Sequence, residues 1–314
     1  MTRHYARLWR QGLLSTVTEQ LIKPPDKPAR DTQAVKMVSP RDMPRLGKAG
    51  NLSSRQALVH SLVHTESWAV DLAWDALARF GADPAYDLPA AFFDDFIQIA
   101  DDEAKHFQLL QARLQELGSS YGALPAHDGL WESAARTAHS LPARLAVEHC
   151  VHEGRGLDVL PQTIQRFRSS GDGETAALLG NVILQEEVQH CAAGVRWLKW
   201  LFASRPPLRP LPASSAPASP QNGQHQAASL RKPAAVEAHE PAALSAHATD
   251  EIGSEFTTVE AWFHHLVREH FHGHLKPPFN KEARTAAGFT EDWYLPLTAA
   301  AAAAAAADAV RTLN

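Results

Sequence analysis

Residues 53–80 read SSRQALVHSLVHTESWAVDLAWDALARF. One and two helical turns either side of Glu66 stand Val59, Leu62, Val63, Ala69, Val70, Ala73 and Leu77. That is an apolar stripe at helical spacing with a carboxylate in its middle. Three more segments repeat the arrangement. Glu103 lies among Phe96, Ile99, Ala100, Phe107 and Leu110, and Glu187 among Leu179, Ile183, Leu184, Cys191, Trp197 and Leu198. Glu153 lies among Leu145, Ala146, Cys150, Leu157 and Leu160. A glutamate taken out of water without a partner costs several kcal/mol or stays neutral. Four on inward faces therefore call for a shared cation.

The order of these residues is a doubled pattern. Glu66 is followed by Glu103-x-x-His106, and Glu153 by Glu187-x-x-His190, at separations of 37 and 34 residues. With 18 Glu and 17 His in 314 residues, about one Glu-x-x-His is expected by chance. A third copy, Glu269 to His272, sits in a His-rich segment with no matching half and is read as a solvated face. The i, i+3 spacing puts Glu and His on one helix face. Four glutamates and two histidines so arranged form the ligand set of a di-metal carboxylate site between four helices. The expected ligands are Glu66, Glu103, His106, Glu153, Glu187 and His190. Two divalent ions would balance the four carboxylates. Oxygen and imidazole donors suit iron or manganese. Zinc is disfavoured because the chain has no Cys-x-x-Cys.

Composition narrows the field. A hydrophobic content of 45% fits a globular chain, and a net charge of −5 without a long basic run argues against a dedicated nucleic-acid binder. No stretch of 18 apolar residues exists, so no membrane span is expected. The two cysteines, Cys150 and Cys191, are read as buried inert thiols in a reducing compartment, the cytoplasm. The first 23 residues carry Arg3, Arg7, Arg10 and Lys23 against Glu19, which fits either a mitochondrial presequence or a helix of the domain.

The organisation follows from breakers and caps. Residues 1–50 form an N-terminal lead-in. The first core helix starts at an N-cap of Ser53 or Ser54 and runs to Phe80, stopped by Gly81 and Pro84. The second runs from Leu88 to Leu117, with Gly118 at its end. A long connection follows, as a ferritin-like bundle requires between its second and third helices. His127 or Asp128 is expected there to cap the helix that Trp131 begins. The third helix starts near Ser140, and Pro161 kinks or restarts it. Gly171 and Gly173 make a turn, and the fourth helix spans Glu174 to Phe202. His149 is read as a core histidine with its hydrogen bonds met. Glu148 and His152 fall off the inward face and are read as solvated. Residues 205–254 are Pro/Ala/Ser-rich and read as a disordered insertion. Residues 255–298 are expected to pack back on the bundle as a C-terminal helical extension, and 299–314 form a poly-Ala tail without a site role. The fold class is thus all-α, a ferritin-like four-helix bundle.

LPAHDGLWE (124–132), EGRGLDV (153–159), QEEVQHCAAGVRW (185–197) and KPPFNKEARTAAGF (276–289) together resemble an uncharacterised ferritin-like family catalogued as domain of unknown function 455. The resemblance covers residues 25–204 and 256–297. It implies a ferritin-like bundle with a di-metal centre whose ligands fall on the six residues named above. It brings no substrate.

The leading functional expectation is an O₂-activating oxidase or hydroxylase with two iron ions (manganese or a mixed pair being alternatives), acting on a small molecule with an unspecified electron donor. Metal binding or storage without turnover, or a scaffold, is the second. RNA modification, by analogy of fold alone, is the third. A radical-generating role is disfavoured because Tyr5, Tyr86, Tyr121 and Tyr294 all lie outside the ligand-bearing segments.

Overall fold

A computed structural model describes residues 1–15, 24–30, 34–204 and 256–303. The insertion at 205–254 and all but the start of the poly-Ala tail lie outside them. The described residues are helical, with two isolated bridges and no strand.

Helix α1 (Thr2–Arg10) leads, followed by α2 (Leu52–Phe80) and α3 (Ala90–Glu116). Asn51, rather than either serine, caps α2. Its side chain accepts from the Ser54 backbone N–H at 2.8 Å while the Ser54 hydroxyl accepts from the Asn51 N–H at 3.4 Å. Ser54 is thus the third residue of a capping box rather than the cap. Gln56, at the start of α2, donates to the Leu117 carbonyl past the end of α3, so the two helices run antiparallel.

A third long helix, α5, covers 141–169, with an α-helical start at Leu141–Arg144, a π-helical stretch at Leu145–His152 and an α-helical body at Glu153–Ser169. A fourth, α6, covers 173–204 and holds a second π-helical stretch at Leu179–Ile183. Arg144, fully buried at the start of α5, pairs with Asp75 near the end of α2 at 2.6 Å. Arg196 near the end of α6 pairs with Asp95 near the start of α3. So α5 is antiparallel to α2, and α6 to α3. The connection 117–140 therefore travels the length of the helical body. It carries α4 (Gly129–Arg136) and is clamped to the lead-in by Val38 N–H to Ala126 O and Ala126 N–H to Lys36 O. At α4 the His127 Nδ1 accepts from the Gly129 N–H at 3.2 Å, whereas Asp128 pairs with Lys27.

Pro161 does not restart α5, and the reason is visible. Proline has no N–H to give the carbonyl four residues back, which is Leu157. Asn280 Nδ2 donates to that Leu157 carbonyl at 3.1 Å. Asn280 caps α8 (Lys281–Ala286), which follows α7 (Val259–His270) and precedes α9 (Glu291–Tyr294). On α8, buried Arg284 grips buried Asp158 of α5 with two hydrogen bonds, 2.9 and 2.7 Å. Residues 276–297 are therefore helical in part.

Helix α1 lies on α3 through Arg3 and Arg10 to Asp101 and Trp9 to Asp94. No helix of the described residues is long and apolar enough to cross a membrane.

Candidate metal centre

Each of the four long helices supplies inward carboxylates. On α2, α3 and α6, Glu66, Glu103 and Glu187 are 5%, 1% and 7% exposed. With His106 they form one group whose ligating atoms all lie within 4.8 Å of one another. His106 Nδ1 stands 3.7 Å from Glu66 Oε2, 3.5 Å from Glu103 Oε2 and 3.6 Å from Glu187 Oε1. These are too long for hydrogen bonds. His106 Nδ1 and Glu103 Oε2 accordingly have no hydrogen-bond partner although both are buried.

The other two expected residues fall outside that group and beside it. His190 Nδ1 lies 2.9 Å from Glu103 Oε1, without hydrogen-bonding geometry, and 3.5 Å from Glu187 Oε2. Glu153 is only partly accessible, and its carboxyl is raised well above the usual range by burial and then by the Glu187 and Glu103 charges. Glu103 and Glu187 are thus common to two neighbourhoods, one with Glu66 and His106, the other with Glu153 and His190.

The electrostatics are those of a cluster short of positive charge. Burial and the Glu103 charge raise Glu66 well above its ordinary value. Burial alone would raise Glu103 too, but His106 and His190 pull it well below. Burial lowers His106, yet Glu103 and Glu66 push it up to about 11. His190 is likewise raised, by Asp102, Glu103 and Glu187 against its burial. Protons on imidazoles and carboxyls do what cations would do. Buried orphan atoms facing one another, all oxygen or imidazole nitrogen, fit a hard to borderline metal ion.

Two further residues were missed from sequence. His106 Nε2 bonds Glu186 at 2.7 Å, and His190 Nε2 faces Asp102 at 3.6 Å. Each acid immediately precedes the inward glutamate of the opposite helix. Lys105 joins the two, 2.9 Å from Asp102 and 2.6 Å from Glu186. A carboxylate on the far nitrogen fixes ring tautomer and orientation, so Nδ1 is left to face inward. The signal was present as an acid before both Glu-x-x-His motifs, Asp102 and Glu186.

The π-helical stretch corrects three expectations. Glu148, read as solvated, is 2% exposed with both oxygens unpartnered, and burial lifts its carboxyl to about 7. His152 is one-third exposed and bonds the Ser133 hydroxyl. His149 is indeed in the core, but neither ring nitrogen has a partner, and burial lowers it to about 3. A widened helix turn breaks the 3.6-residue period on which the stripe argument rests. Gly194 of α6 lets α5 approach at this level, since a Cβ there would stand 2.7 Å from the His149 carbonyl oxygen.

Comparison with known proteins gives a family without an activity. The family model described as "Protein of unknown function (DUF455)" matches residues 1–295. An uncharacterized protein of Haemophilus influenzae is 34% identical over 186 residues, 59% of this chain. The match spans 64% of that relative, under two thirds of its length. No solved structure matches.

Proposed function

We propose, for a chain that belongs to the DUF455 family, a ferritin-like four-helix-bundle protein holding two metal ions, iron first and manganese or a mixed pair as alternatives. Its function in this reading is an O₂-activating oxidase or hydroxylase. The observation that carries it is the sharing of Glu103 and Glu187 between two histidines whose inward nitrogens lack hydrogen bonds. Glu66 and His106 would hold one ion, Glu153 and His190 the other, with Glu103 and Glu187 serving both. The lengthwise connection between α3 and α5 supports the ferritin-like reading.

A redox-active pair bound there supplies electrons to dioxygen, as such cofactors do. The chain's own residues do the rest. Glu186 and Asp102 hold the imidazoles in register. Phe96, buried edge-on to His149 at 4.9 Å, helps to keep water from the inner side. O₂, a small organic substrate and an electron donor are the partners this chemistry requires. The test is to load the metal-free chain anaerobically with ferrous iron and admit air. Dioxygen uptake in proportion to bound iron, absent in Glu103→Ala, supports the reading. Iron that stays bound and ferrous in air removes the oxidase and leaves metal holding alone.

A further inference from the structure

A cavity of about 530 Å³ lies on α2 away from the metal cluster, roofed by lead-in residues 43–47 and by the connection at 119–130. None of the six cluster residues lines it, and neither does any aspartate or glutamate, in a chain with more acids than bases. Its polar lining is all donor or neutral. Arg45 is exposed at its rim and forms no ion pair among the described residues. Ser53 and Ser54 belong to the first turn of α2; the Asn51 cap takes the Ser54 N–H, and the N–H groups before it favour negative charge.

The decisive group is His60. It lines the cavity and is 2% exposed. Its Nε2 receives the Gly122 backbone N–H at 3.0 Å. A backbone N–H can only donate, so Nε2 carries no proton and the neutral ring must carry it on Nδ1. That Nδ1–H has no partner among the described residues. It is a donor with its tautomer set by the backbone, on a ring that lines the cavity. Leu46, Ala57, Leu124 and Trp68 supply an apolar part of the wall.

We propose that this cavity binds a small organic anion: a carboxylate, sulfonate or phosphate carried on an apolar body. The anionic group sits between Arg45, the start of α2 and the His60 Nδ1–H, and the body lies against the apolar wall. Mixed apolar walls with a few convergent donors are the usual make-up of such sites.

Two probes with the same rings separate the charge from the apolar body: 8-anilinonaphthalene-1-sulfonate and the neutral N-phenyl-1-naphthylamine. Each is titrated by fluorescence against the full chain. The sulfonate is expected to bind one site per chain about tenfold tighter than the neutral probe, the worth of one charge-assisted hydrogen bond. Arg45→Gln, at an exposed position, should bring the two affinities together. Ala57→Trp should fill the cavity and abolish both, with helicity and melting temperature unchanged. Glu103→Ala should bind the sulfonate as the wild type does, which keeps this site separate from the metal reading. Equal affinity for the two probes in the wild type, or sulfonate binding unchanged by both cavity variants, would overturn the proposal.

Discussion

Glu186→Ala tests whether the outer carboxylates govern the metal site. Glu186 accepts from His106 Nε2 at 2.7 Å and from Lys105 at 2.6 Å, and its own side chain is 29% exposed. At the metal site what is lost is the bond to His106, one hydrogen bond to a charged group, about 1.5–3 kcal/mol. Outer partners of metal-bound histidines cost roughly 10–100-fold in affinity when removed, which agrees. The variant should therefore bind the same number of ions, one of them weakened by about that factor. Asp102→Ala should weaken the other ion less, because its contact to His190 is 3.6 Å and not a hydrogen bond. The assay is competition with a chelator of known affinity, using manganous ion under nitrogen, with melting curves alongside. Wild-type affinity in Glu186→Ala, with Glu187→Ala failing to bind, would refute the positioning argument while leaving the ligands intact.

Four other outcomes follow from the packing. Arg284→Ala strands the buried Asp158 carboxylate and should cost about 3–5 kcal/mol in denaturant unfolding; a loss below about 1 kcal/mol would show the pair is solvated. Asn280→Leu uncovers the Leu157 carbonyl that Pro161 cannot serve and should cost about 1–3 kcal/mol. In Pro161→Ala, which restores the N–H, the same substitution should cost markedly less; an equal loss in both backgrounds would deny the pairing. Gly194→Val drives side-chain atoms into the His149 backbone and should destabilise by about 1–3 kcal/mol or more, seen as a lower melting temperature. His64 is buried and its pKa is lowered from 6.5 to about 4, chiefly by desolvation. The unfolded chain then takes up its proton first, so this contribution is full above pH 6.5 and is lost as pH falls through 4. It amounts to roughly 3 kcal/mol, and acid titration of His64→Gln should show a correspondingly flatter stability profile over that window.

The helices and most inward faces were legible because α2 and α3 keep a regular 3.6-residue period, so Glu66, Glu103 and His106 could be placed by counting. The same count failed across Leu145–His152, where π-helical turns shift the phase and bury Glu148. Asp102 and Glu186 stand in plain sight before the two motifs, but which histidine each serves was not legible, since they act across helices and no one-helix pattern pairs residues 80 apart. Pro161 misled for a related reason. The group that rescues its carbonyl is Asn280, 123 residues from Leu157. Local rules describe what a residue lacks, and the fold decides who supplies it.

Metal content per chain is the most direct test of the central claim. The protein would be produced in iron- and manganese-supplemented medium and measured by elemental analysis, beside Glu103→Ala and Glu187→Ala. The account predicts about two iron or manganese ions per wild-type chain, lost in both variants because those two glutamates serve both ions. A folded, helical wild-type chain that holds no metal from either medium would contradict it.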